Sequence, residues 1–213
     1  MPTSSSPRRG AVSRGCLIAL AAVILPVLLI GGCAASQYNG LVSKRAAVDA
    51  GWSQVENDYK RRADLIPQLV ATVKGAANFE QETLTAVTEA RNKATSINID
   101  ASDLEDPAKV EAYLKAQQEL GSSLSRLIAT VEAYPELRAT ASFQDLQSQL
   151  EGTENRIVTS REDYIRAVQA FNTAVRGFPA VIFAGMLGFE PLPQFKAEES
   201  DLEVPVVDFS KDK

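Results

Sequence analysis

The chain has 213 residues, no histidine, two cysteines and a formal charge of −5. Without histidine and with a single thiol beyond the first 32 residues, Ser-His, Cys-His and zinc chemistry are excluded, as is an intramolecular disulfide in that part. Setting aside those 32 residues, which hold three arginines and no acid, leaves a body of charge −8, a poor match to nucleic acid.

The N-terminus carries Arg8, Arg9 and Arg14, then an uncharged apolar run over 17–33 that ends in Ile30-Gly31-Gly32-Cys33. A basic start, a short apolar stretch and small residues before a cut describe an export signal. The last four residues fit a bacterial lipobox, which makes Cys33 the candidate lipidation site and residue one of the processed chain. The alternative is an uncleaved transmembrane helix over about residues 15–35, long enough to span a bilayer. Lipidation is the favoured reading. Either way the first acid is Asp49, so the positive-inside rule keeps the N-terminus cytoplasmic and the body outside. The expected partner is therefore a membrane, through this anchor.

From Tyr38 the chain reads as helix. Tyr38, Leu41, Val42, Arg45, Val48, Trp52, Val55 and Tyr59 recur at steps of three and four, and the stripe continues through Ala63, Ile66, Val70, Val73 and Ala77. Pro67 lies inside this run and predicts a kink, or a break with Asp64 capping a new helix. The unbroken stripe favours the kink. Gly75 and Asn78 predict a stop. A shorter helix over 80–94 follows, with Phe79, Leu84, Val87 and Ala90 inward, then a loop over 95–106. Asp106-Pro107 is a cap followed by proline at the first helical position. The helix it opens carries Val110, Leu114, Gln117, Leu120, Leu124, Leu127, Ile128 and Val131 and ends at Tyr134-Pro135. The last long helix is predicted from Pro135 or Glu136, with Leu146, Leu150, Thr153, Ile157, Arg161, Tyr164, Val168, Phe171 and Val175 as its stripe.

Two long helices and two shorter ones with this period predict an all-α fold, an antiparallel four-helix bundle behind an N-terminal hydrophobic anchor. The expected organisation is 1–32 as signal peptide or anchor, 33–195 as bundle, and 196–213 as an acidic flexible tail. Residues 180–195 are too apolar to be free, so they are expected to pack over one bundle end or meet the membrane.

Arg61, Arg62, Asp64, Glu151, Glu154, Asn155 and Arg156 form the candidate structural or partner network. Arg61 or Arg62 is expected to meet Glu151 or Glu154, because both blocks lie mid-helix on antiparallel partners, and Glu154→Arg should then partly rescue Arg62→Glu. Glu154-Asn155-Arg156 reads as a buried polar network, and Gly152 as a point of close helix approach. No catalytic residue, cofactor site or metal site is expected, since bundle metal sites of this kind add histidine to their carboxylates.

Several blocks exceed what a generic bundle needs: Tyr38-Asn39-Gly40-Leu41-Val42, Lys60-Arg61-Arg62-Ala63-Asp64-Leu65-Ile66-Pro67, Thr72-Val73-Lys74-Gly75, Thr88-Glu89-Ala90-Arg91, Leu150-Glu151-Gly152-Thr153-Glu154-Asn155-Arg156-Ile157, Phe171-Asn172, Phe178-Pro179 and Gly188-Phe189. In this order, over roughly residues 37–195, the chain resembles the LemA family of bacterial membrane-anchored helical proteins. The resemblance implies an α-helical bundle behind a hydrophobic segment and no established reaction. Family members are membrane proteins of unclear role, one of them in the magnetosome-membrane set. Two departures stand out. Cys33 sits in a lipobox-like context where many members have a plain transmembrane helix, and Ile165 replaces an asparagine that usually follows the tyrosine. The functional expectation is a non-enzymatic envelope scaffold with a protein partner or self-association. The alternative is a lipid or small-ligand module with an apolar pocket between the bundle and residues 178–195.

Overall fold

A computed structural model describes residues 14–75 and 79–193. Arg8 and Arg9 of the basic start, Ala77, Asn78 and the acidic tail lie outside the described residues. The described chain is all-α, with no strand among those residues.

Helix α1, Arg14–Lys74, runs unbroken for 61 residues, a length of roughly 90 Å at 1.5 Å per residue. It passes through both Pro26 and Pro67, so no new helix starts at Asp64. Its first part is bare, with Ala22–Cys33 all exposed, and it is long and apolar enough to cross a membrane. Burial begins in earnest at Leu41 and follows the sequence stripe through Val48, Trp52, Val55, Tyr59, Ala63, Ile66 and Val73. Two differences appear at the edges. Tyr38 and Val42 are exposed, while Leu65 and Leu69 are buried, because α1 is covered from two sides once it passes Tyr59.

Helix α2, Gln81–Ser96, places Leu84, Val87 and Ala94 inward. The loop after it is anchored: Ile99 and Leu104 are buried, the latter in a 3-10 turn over Asp103–Glu105. Helix α3, Pro107–Val131, starts where the Asp106-Pro107 step predicts, and the Asp106 carboxylate accepts from the Ala108 N–H at 2.9 Å. After Val131 the chain turns into the single helical turn α4, Pro135–Arg138. The last long helix, α5, then spans Ala141–Arg176. Its start is six residues later than Pro135 suggested, because the Thr140 hydroxyl caps the Phe143 N–H and opens a fresh helix there.

Numbers rise along α1 as they fall along α5: Gly51 lies against Tyr164, and Arg62 against Glu154. Lys93 of α2 meets Glu119 of α3, and Thr83 and Arg126 line the same furrow. The α5 stripe is buried as predicted, except that Ser160 takes the inward place expected for Arg161, which is exposed.

The interior divides into two apolar clusters. One gathers Leu41 to Tyr59 of α1, Val110 and Tyr113 of α3, and Ile157 to Val175 of α5. Trp52 stands at its centre, with ring centroids 5.5 Å from Tyr113 and 5.3 Å from Tyr164. The other gathers Leu65 to Val73 of α1, Leu84, Val87 and Ala94 of α2, Ala116 to Val131 of α3, and Phe143 to Leu150 of α5.

After α5 the chain bends through Gly177 and a cis Phe178-Pro179 bond into α6, Ala180–Ala184, and a 3-10 turn over Gly185–Leu187. Gly188, at φ +77°, reverses the chain, a conformation that glycine adopts without strain. The return brings Phe189 to Phe171 and Tyr38, with ring centroids 6.3 Å and 5.8 Å apart, and buries Leu192.

Candidate functional site

Between the two apolar clusters lies a polar layer centred on Arg62. The residue falls on α1 where the inward face widens, and it is 3% exposed. One Nη2 hydrogen reaches the Gln117 carbonyl at 2.8 Å, and Nη2 also meets Gln117 Oε1 at 3.0 Å. Nη1 donates to Glu154 Oε2 at 3.1 Å. The guanidinium carbon stands 5.0 Å from the centre of the Tyr59 ring, in reach of its π-face. Gln117 in turn donates from Nε2 toward the Ala94 carbonyl at 3.5 Å. One side chain thus ties α1 to α3 and α5, and through Gln117 to α2. Gly121 of α3 lies beside the guanidinium, where a Cβ would make ordinary contact with Nη1 at 3.6 Å. Arg62 Nε has no hydrogen-bond partner.

Burial pushes the Tyr59 hydroxyl above its ordinary pKa, against the opposing pull of Arg161 and Arg62. Burial also raises Tyr113, and it pushes Tyr164 up to about 12. These phenols stay neutral and none is poised as an acid or base near pH 7.

The structure brings Arg62 and Glu154 together and leaves the rest of the candidate network apart. Arg61, Asp64, Glu151, Asn155 and Arg156 are exposed, and Glu151 accepts from Gln147 at 3.0 Å along its own helix. The expected buried network over Glu154–Arg156 is corrected. Thr153 and Ile157, one turn apart, take the inward face, which turns the three residues between them to solvent. Gly152 is corrected too. Nothing lies within 4 Å of a Cβ built there, whereas a Cβ on Gly51 would stand 3.3 Å from the Tyr164 Cα. The close approach of α1 and α5 is at Gly51. Cys33 is exposed on α1.

Three joints were missed in the sequence. Arg91 of α2 donates from Nε to the Ala63 carbonyl at 2.8 Å. That carbonyl is the one for which Pro67, four residues on, has no N–H. Asn172 grips Leu192 as a second backbone would: its Nδ2 donates to the Leu192 carbonyl and its Oδ1 accepts from the Leu192 N–H, both at 2.8 Å. Arg45 donates to Glu105 and to the Ala101 carbonyl, each at 2.8 Å, while Trp52 Nε1 donates to the Ile99 carbonyl at 3.3 Å, pinning the 97–106 loop. Arg91 and Asn172 fall in blocks already singled out by order, which was the available signal.

Among the described residues no group of Cys, Asp or Glu is placed to share a metal ion. An open furrow of about 610 Å³ runs between α2 and α3, lined by Ala86, Glu89, Lys93, Glu119, Ser123 and Arg126 among others. It is open to solvent along its length, unlike an enclosed ligand site.

The sequence signature of the LemA family matches residues 51–209. Magnetosome protein MamQ 2 of Paramagnetospirillum magneticum is 26% identical over 219 aligned residues, covering 95% of this chain and 79% of that protein. Magnetosome protein MamQ of Magnetospirillum gryphiswaldense is 24% identical over the same extent. Protein LemA of Metamycoplasma hominis is 26% identical over 161 residues, 76% of this chain and 69% of that protein.

Proposed function

The chain belongs to the LemA family, and on that premise we propose that it is a non-enzymatic scaffold of the bacterial cell envelope. In this reading an antiparallel four-helix bundle over residues 33–195 is tethered to a membrane and stands on its extracytoplasmic side. The body presents long helix faces to a protein partner or to a second copy.

The observation that carries this reading is the continuity of α1. The same helix holds the bare apolar run before Cys33 and, without a break, the Leu41–Val73 stripe of the core. From Cys33 onward the helix is continuous into the core, so a lipid on Cys33 or a retained span before it is joined to the body by helix rather than by a linker. The Arg62 layer supports a structural role for the polar residues, since both Nη groups are engaged by a helix carbonyl, a side-chain amide and a neighbouring carboxylate. The packing under residues 178–193 also favours a scaffold over a ligand module. Leu41, Phe171, Val175, Ala180, Ala184 and Leu192 fill that space with buried side chains.

The anchor is read as a lipid on Cys33. Intact mass of the detergent-extracted protein, beside a Cys33→Ala variant, tests it. A chain that starts at Cys33 with acyl mass, and an unprocessed variant, is the expected result. Full-length, unacylated chains in both would make residues 17–32 a retained span. Recovery of the wild-type chain in the soluble fraction would overturn membrane tethering. A small molecule or lipid that stays with the purified body in native mass spectra would favour the binding-module alternative.

A further inference from the structure

The segment that follows α5 is turned across the body. The axis of α6 and its 3-10 turn departs from that of α5 by 88°. Its inward side chains, Ala180 and Ala184, seal against the cluster that holds Leu41. Its outward side chains are large, apolar and bare: Phe178 and Met186 are 84% exposed, Ile182 57% and Val181 53%. No charged residue occurs between Arg176 and Glu190. A continuous apolar face of this kind on a protein surface marks an interaction site.

Its place in the fold says what covers it. Because α5 runs opposite to α1, the end of α5 lies beside the start of the buried stripe. The segment therefore sits at the foot of the body, where α1 emerges from its bare apolar run. On α1 Ala22–Cys33 are exposed, Ala34 is partly covered, and Tyr38 touches Phe189. Cys33 and Tyr38 are about 7.5 Å apart along the helix, comparable to the depth of a bilayer's interfacial zone.

We propose that the crosswise segment Phe178–Leu187 is a second membrane contact, with its apolar face seated at the headgroup–acyl boundary of the bilayer that holds the N-terminus. An apolar face lying flat in that boundary is the geometry of interfacial helices. The crosswise bend sets the face parallel to a membrane that α1 meets end-on. The body then meets the bilayer at two points and stands upright, where one anchor alone leaves it free to swivel. The inference rests on the tethered reading above and holds for either anchor, since an acylated Cys33 and a retained span place the bilayer at the same level of α1.

The full chain is reconstituted in vesicles of phosphatidylethanolamine and phosphatidylglycerol whose acyl chains carry bromine, a contact quencher of tryptophan. Phe178→Trp and Met186→Trp change only exposed positions. Trp52, buried in the core, and Val158→Trp, exposed midway along α5, serve as controls. The expected result is at least twofold quenching by brominated lipid for the first two variants, with little for the controls and protection of the first two from aqueous iodide. A chain that floats with the vesicles while Phe178→Trp is quenched by iodide and not by lipid would place the segment in water and overturn the proposal, leaving tethering intact. Protection from both quenchers would assign the face to a second copy of the chain and overturn it equally. A chain that fails to float would overturn tethering itself, and the proposal with it.

Discussion

Arg91 donates to the carbonyl that Pro67 leaves without a partner. The acceptor, Ala63 O, is 2.8 Å from Arg91 Nε and lies in a buried turn of α1. A proline inside a helix removes one backbone donor and crowds the carbonyl four residues back. Here the neighbouring helix supplies the missing hydrogen bond with a charged group, and α1 continues to Lys74.

The two positions should therefore be coupled. Arg91→Ala is expected to cost about 1–3 kcal/mol, the range for stranding a buried acceptor. In a Pro67→Ala background the new alanine brings its own N–H, and the same substitution should cost at least about 1 kcal/mol less. A double-mutant cycle from urea unfolding checks this. Additive costs would show that Arg91 acts independently of the proline.

Arg62 and Glu154 should respond unequally to truncation. Arg62 is buried while the Glu154 side chain is 57% exposed. Arg62→Ala removes the donors to Gln117 and opens a hole between the two apolar clusters, at about 2–5 kcal/mol. Glu154→Ala should cost no more than about 1 kcal/mol. Glu154→Arg should rescue Arg62→Glu by less than about 1 kcal/mol, because a glutamate in place of the arginine cannot donate to the Gln117 carbonyl. Denaturant midpoints of the four variants decide the matter.

Two helical glycines should behave in opposite ways. Gly51→Ala pushes a methyl to 3.3 Å from the Tyr164 Cα, part of a backbone that cannot rotate aside. It is expected to destabilise by about 1–3 kcal/mol. At Gly152 a Cβ meets nothing within 4 Å, so Gly152→Ala should stabilise by up to about 1 kcal/mol. Thermal unfolding of both variants separates close packing from mere helix propensity.

Alkaline unfolding should start with the buried phenols. Tyr59, Tyr113 and Tyr164 are raised above 10.0 by burial, Tyr164 to about 12. A raised value in the fold means stability that is whole below pH 10 and is lost as pH climbs toward the folded values, because the unfolded chain ionises first. The phenolate absorbance of these residues is expected to appear together with the loss of helical signal, and Tyr164→Phe should flatten the decline. Ionisation of all tyrosines before any helix is lost would contradict the buried assignment.

Much of the helix layout was legible in the chain because it is a local property. A period of three and four marks a covered face, and Asp106-Pro107 marks a helix start, through bonds that reach no further than one turn. Tyr134-Pro135 misled as a start of the last helix, because proline fits a first helical position whether the helix is short or long. Thr140, less conspicuous, supplies the cap that counts.

The amino-acid sequence by itself determined that the chain is all-α, that an apolar run leads into a long amphipathic helix, and that Arg62 and Glu154 stand mid-helix on candidate partners. Only the tertiary structure decided that Arg62 and not Arg61 turns inward, that Gly51 and not Gly152 is the narrow point, that Asn172 clasps Leu192, and that residues 180–187 lie crosswise at the foot of the body. The physical reason is the same in each case. Neighbouring residues on a helix differ by about 100° in direction, so periodicity names a face but not which partner covers its edges. That choice is made by contacts between segments far apart in the chain.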